Sequence, residues 1–179
     1  MPTTRRTFLA ATGAGLASSE IAVSGRASAD SDIANAVAEL IRLSAESNTV
    51  LMRGDIDRYR ALVTYTDGFT LMSPFGGTPT HGRDLTSERM EAMGRFFKNG
   101  TFTQKLVQAY GSADMVVLAI IEHCHVEVGG LPLQEWPLRV TLVYRRDGSV
   151  WRLAHRHADP LVAGVSHKTA AALAQGEIK

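Results

Sequence analysis

The chain has 179 residues, and its 19 lysines and arginines against 18 aspartates and glutamates leave a formal net charge of +1. That balance gives no electrostatic argument for a nucleic-acid partner or an anionic membrane surface. A single cysteine, Cys124, excludes an intrachain disulfide, so stability must come from a buried core.

At the start, Thr4-Arg5-Arg6-Thr7-Phe8-Leu9 is a twin-arginine pattern followed by a short apolar run through Ala10, Ala11, Ala14, Leu16 and Ala17. No acidic residue precedes Glu20, and Ala27-Ser28-Ala29 supplies the small residues of a cleavage site. The run is far shorter than the ~20 residues of a membrane span. Residues 1–29 are therefore read as a twin-arginine signal peptide, and the protein as periplasmic or secreted from a bacterium. Residues 30–165 form the domain, and residues 166–179 a C-terminal helical tail that Ser166 can cap.

From Ile33 the apolar residues Val37, Leu40, Ile41, Leu51 and Met52 return at helical spacing, with Ser31 or Asp32 as cap and Gly54 as stop. Asp55 caps a second short helix carrying Ile56, Tyr59, Leu62 and Val63 on one side. Asp67-Gly68 predicts a turn into a strand over residues 69–73, and helical spacing returns over residues 81–98 until Asn99-Gly100. Thereafter β-rich runs predict four long antiparallel strands in a meander: residues 101–110, residues 115–128, a margin around Trp136 between Pro132 and Pro137, and a closing hairpin over residues 138–159. The fold class is α+β, a curved antiparallel sheet wrapped around three helices.

The hairpin fixes the candidate site. A turn at Asp147-Gly148 pairs Tyr144 with Trp151, Leu142 with Leu153, Val140 with His155 and Leu138 with His157. Side chains alternate across a sheet, so His155, His157 and Asp159 continue the apolar face of Leu138, Val140 and Leu142, and Arg152 and Arg156 fall on the other. Imidazoles at the edge of an apolar floor are candidates for general acid and base, with Asp159 orienting His157 or acting as a base itself. Structural hydrogen bonding explains the same residues without chemistry.

His123 and His125 make a second pair. A regular turn at Gly129-Gly130 puts His123 opposite Trp136 on the cavity side and Glu122 on the outer side. The two histidine pairs then stand ~10 Å apart, too far for one ion, and no metal or other cofactor is assigned. Tyr59, Tyr65, Met72 and Phe75 are candidate ligand contacts, as are Met90, Met93, Trp136 and His123; such residues also fill ordinary cores.

Gly54-Asp55 opening the second helix, Gly82 ahead of the third, and the ending LRVTLVYRRDGSVWRLAHRHADPLV resemble the SnoaL-like group of the nuclear-transport-factor-2-like superfamily, whose relatives include ketosteroid isomerase and scytalone dehydratase. The resemblance spans roughly Ile33 to Val162. It implies a cone, cystatin-like in its curved sheet and three helices, commonly paired into a homodimer through the outer sheet face. It carries over no catalytic residue, because this fold hosts isomerases, dehydratases, cyclases, hydrolases and scaffolds. The expected function is a small-molecule pocket for a largely apolar ligand, with histidine acid/base catalysis of isomerase, dehydratase or hydrolase type. The alternatives are a non-catalytic binding or dimeric interaction domain, and, third, a histidine metal site.

Overall fold

The computed structural model describes the backbone of residues 19–176 and the side chains of residues 30–176. Of the expected leader, residues 1–18 lie outside the described residues, and the first helix, α1 (Ser19–Met52), starts well before the expected cap at Ser31 or Asp32. Its buried stripe is Leu40, Ser44, Ser47, Asn48 and Leu51, so the face turned to the sheet mixes hydroxyl and amide groups with hydrocarbon.

Gly54 ends α1 in the left-handed region, at φ 81°, where a side chain is strained. A Cβ there would also come within 2.8 Å of the Gly94 carbonyl oxygen. The side chain of Asp55 then accepts from the Arg58 N–H and caps α2 (Ile56–Leu62). After β1 (Tyr65–Met72) and the two-residue β2 (Thr80–His81), a single 3₁₀ turn at Gly82–Asp84 leads to α3 (Ser87–Phe96), capped by Thr86. Two expectations are corrected here. Asp67-Gly68 lies inside β1 and is no turn, and the helix over residues 81–98 contracts to α3 because residue 97 already begins a strand.

That strand, β3 (Phe97–Gly111), pairs with β4 (Met115–Val128), which carries the short β5 (Gln134–Glu135) and then β6 (Leu138–Asp147). The last strand, β7 (Val150–Pro160), closes the hairpin, and Ser166 caps a final helix, α4 (His167–Ala174). The sheet order is β2-β1-β7-β6-β4-β3. The long strands form the expected antiparallel meander, but β1 runs parallel to β7, so the sheet is mixed. The result is an α+β structure with a curved, unclosed sheet and helices against its concave side.

Two local events decide which side chains enter that concave side. The hairpin turns at Gly148-Ser149, pairing Asp147 with Val150 and Tyr144 with Leu153, a two-residue shift from the expected register that leaves every face unchanged. Then Ala154 is left over. The next pairs are Val143 with His155 and Leu142 with Arg156, so this bulge reverses the alternation. Between β4 and β6 the connection differs from a two-residue turn by one position as well, and Glu122, not His123, is in step with Leu138.

Candidate functional site

The concave side encloses a cavity of about 450 Å³. Its walls are hydrocarbon and sulfur: Leu51 and Met52 at the end of α1, Met90 and Met93 on α3, Phe69 and Leu71 on β1. Trp136 stands at one side, with Phe75 against it at a ring separation of 5.5 Å and against Phe96 at 5.4 Å. Phe75 is exposed, in the Pro74–Gly77 segment that leaves β1, which puts this aromatic group at the mouth.

The floor is polar and closed on itself. Arg156 Nη1 donates to Glu122 Oε1 at 2.8 Å and Nη2 to Oε2 at 2.7 Å, a two-pronged pair in which the Glu122 side chain is 2 % exposed and Arg156 18 %. Asn48 Nδ2 donates to the Ser44 carbonyl at 3.0 Å and approaches Glu122 Oε1 at 3.5 Å. Ser44 in turn donates to Gln104, whose amide donates to the Ile41 carbonyl. Among the described residues no buried side-chain nitrogen or oxygen lacks a partner, so the ion pair is satisfied as buried charge requires. Burial opposes the Arg156 charge, but the attraction of Glu122 and its hydrogen bonds outweigh it and hold the guanidinium above the ordinary arginine pKa.

Beside this pair the hydroxyls of Tyr59 and Tyr65 lie 2.9 Å apart. Burial pushes both phenols above their ordinary value. Both keep their protons, and only one is used between them; the other can be donated to an acceptor in the cavity. Cys124 also lines the wall, and burial, with Glu122 adding to it, pushes its thiol up to about 12. A thiol held that high is no nucleophile near neutrality.

Six of the expected ligand contacts, Tyr59, Tyr65, Phe75, Met90, Met93 and Trp136, line the cavity. Met72 does not: it alternates with Leu71 onto the outer face and is 42 % exposed. His123 and His125 are exposed on the outer face of β4, because the one-position difference in the connection turned Glu122 and Cys124 inward. The Ala154 bulge sends His155, His157 and Asp159 outward too. There His155 Nδ1 shares a 2.7 Å hydrogen bond with Thr70 Oγ1, and His157 Nε2 lies 3.5 Å from Asp159 Oδ2. Among the described residues no three histidine, cysteine, aspartate or glutamate side chains converge as metal ligands.

Glu122 and Arg156, the groups missed, did leave a signal. In β4 the even positions Val116, Leu118, Ile120, Cys124, Val126 and Val128 form the more apolar face, and Glu122 is in step with them. A carboxylate there requires a buried cation, and Arg156 between two histidines supplies it.

The sequence pattern of the SnoaL-like domain matches residues 41–163. The chain belongs to the SnoaL-like domain family. Its solved structural relatives include a dehydratase candidate of the NTF2-like family from Streptomyces avermitilis, at 22 % identity and TM-score 0.58, covering 75 % of this chain and 99 % of that one. A protein with a cystatin-like fold from Caulobacter vibrioides matches at 19 % identity and TM-score 0.57, covering 82 % of this chain and 99 % of its own. The kinase hub homology domain of Chlamydomonas reinhardtii matches at 16 % identity and TM-score 0.53, with 71 % and 99 % covered. At these identities the likeness establishes the SnoaL-like, NTF2-like fold alone. No curated protein matches the sequence.

Proposed function

We propose that this SnoaL-like chain is an exported protein that binds a small, largely apolar molecule in the concave cavity. The observation that carries the reading is the cavity itself: about 450 Å³, walled by aromatic and methionine side chains, within the range of small-molecule sites. Affinity would come from hydrocarbon burial, at about 0.8 kcal/mol per methylene. Orientation would come from the Tyr59–Tyr65 hydroxyl pair, since one hydrogen bond contributes only about 1 kcal/mol net.

Histidine acid/base chemistry at His155 and His157 loses its geometric support, because both rings are on the sheet face opposite the cavity. The groups in the cavity itself suit binding better: a neutral thiol, protonated phenols and a satisfied ion pair. The test is a titration with N-phenyl-naphthylamine, an uncharged apolar fluorophore, followed by its own emission and by quenching of Trp136 in a Trp151→Phe background. Saturable binding that Met90→Trp abolishes supports the cavity. A probe that binds both proteins equally is elsewhere on the surface.

Export rests on the twin-arginine pattern of Arg5 and Arg6. Replacing both by lysine is expected to leave the protein in the cytoplasm of the expressing bacterium. A homodimer through the outer sheet face is the proposed assembly, supported by the half-buried apolar strip of Val117, Ala119, Ile121 and Val143. Sedimentation of Ile121→Asp as a monomer, against a wild-type dimer, checks it.

A further inference from the structure

We infer that the cavity selects uncharged ligands, because the arginine of its floor, Arg156, is already spent on Glu122. The inference rests on the binding reading above and narrows it to a chemical class: a mostly hydrocarbon molecule with one neutral hydrogen-bond acceptor, such as a carbonyl or ether oxygen.

The reason is a count of charges where water is excluded. Arg156 gives both terminal nitrogens to the two oxygens of Glu122, and the carboxylate is 2 % exposed. The pair is neutral as a whole. A ligand carboxylate or sulfonate entering this floor would lose its hydration, a cost of several kcal/mol. It would meet a guanidinium whose two-pronged face is occupied, and a like charge beside it. To gain Arg156 it would have to displace Glu122, which would then be stranded with only the 3.5 Å approach of the Asn48 amide. Arg89 is the other arginine of the wall, and it is exposed at the edge on α3, where water screens it. What the floor still offers is the unused phenolic proton of the Tyr59–Tyr65 pair. That donor suits a neutral oxygen, and Glu122 thus acts as a specificity residue that keeps anions out.

The experiment compares two probes that differ by one anionic group, N-phenyl-naphthylamine and anilinonaphthalene sulfonate. Binding of the sulfonate to the cavity is read only as displacement of the neutral probe. The wild-type protein is expected to bind the neutral probe at least about tenfold more tightly. In Glu122→Gln, which leaves the Arg156 charge uncompensated, the order is expected to reverse, with the sulfonate gaining about tenfold or more. Wild-type protein from which the sulfonate displaces the neutral probe at equal or lower concentration overturns the selectivity and leaves the cavity reading intact. A folded Glu122→Gln variant with unchanged preference also overturns it. If wild-type protein binds neither probe, the cavity reading fails and takes the inference with it. Circular dichroism establishes whether the variant is folded, and should it not be, the wild-type comparison decides alone.

Discussion

Arg156 on β7 reaches Glu122 on β4 across the strand between them, and the two close a neutral pair under the cavity at 2.7 and 2.8 Å. The Asn48 amide, 3.5 Å from Glu122, is neutral and cannot replace the Arg156 charge. Removing one partner leaves an uncompensated buried charge, so Glu122→Leu or Arg156→Met alone is expected to cost about 3–5 kcal/mol in chemical denaturation. The double variant Glu122→Leu/Arg156→Met should recover most of that loss, because two apolar groups remove both charges together. Single variants that cost less than about 1 kcal/mol would show the pair to be solvated.

Stability should fall on the alkaline side. Cys124 is held up to about 12, and burial raises Tyr59, Tyr65 and Tyr144 above the ordinary 10.0. Above pH 9 to 10 the unfolded chain releases these protons while the folded chain keeps them. The unfolded state then binds fewer protons, and the unfolding free energy drops as pH rises, by up to about 1.4 kcal/mol per pH unit for each group. Below about pH 8 these four groups contribute no slope. Denaturation midpoints that stay level from pH 8 to 11 would contradict their burial.

The outward histidines give a sharp contrast with the cavity. His155→Ala removes the hydrogen bond with Thr70 and is expected to cost about 1 kcal/mol. His157→Ala, whose ring is 40 % exposed, is expected to stay within about 0.5 kcal/mol of wild type. Neither should change the affinity for N-phenyl-naphthylamine. A loss of probe binding in either variant, with the fold retained, would bring a ring into the cavity.

Ala154 is the extra residue that sets the faces of β7. Deleting it should join Leu153 directly to His155 in a regular ladder, with Leu153 still inward, His155 outward and Arg156 inward. The variant is expected to fold with a loss below about 2 kcal/mol and to keep its probe affinity. A variant that unfolds would show that the bulge itself is needed for the bend of the sheet.

The elements were legible because each has a local cause. Asp55 caps a helix, Gly54 needs a backbone that tolerates positive φ, and the strand β4 alternates over its whole length. Part of the cavity wall was legible too, as Tyr59, Tyr65, Phe75, Met90, Met93 and Trp136 do line it, beside residues such as Phe69, Leu71 and Met52 that were not singled out as ligand contacts. The expected position of His155 and His157 at the edge of the apolar floor is corrected, since both lie on the opposite face. Its assignment rested on counting from two turns, and an odd residue in either count exchanges the two faces of a strand.

The sequence by itself determined the α+β layers, the long antiparallel ladders and an apolar cavity wall, since caps, periodicity and turn chemistry act over a few residues. Only the tertiary structure decided that Glu122 and Arg156 look inward and that His155 and His157 look out. The parity of a strand is settled where it docks on its neighbours. In β7 the residue left over at Ala154 turns Ala158 into the core and Arg156 toward Glu122, so that the buried carboxylate is not left without a cation.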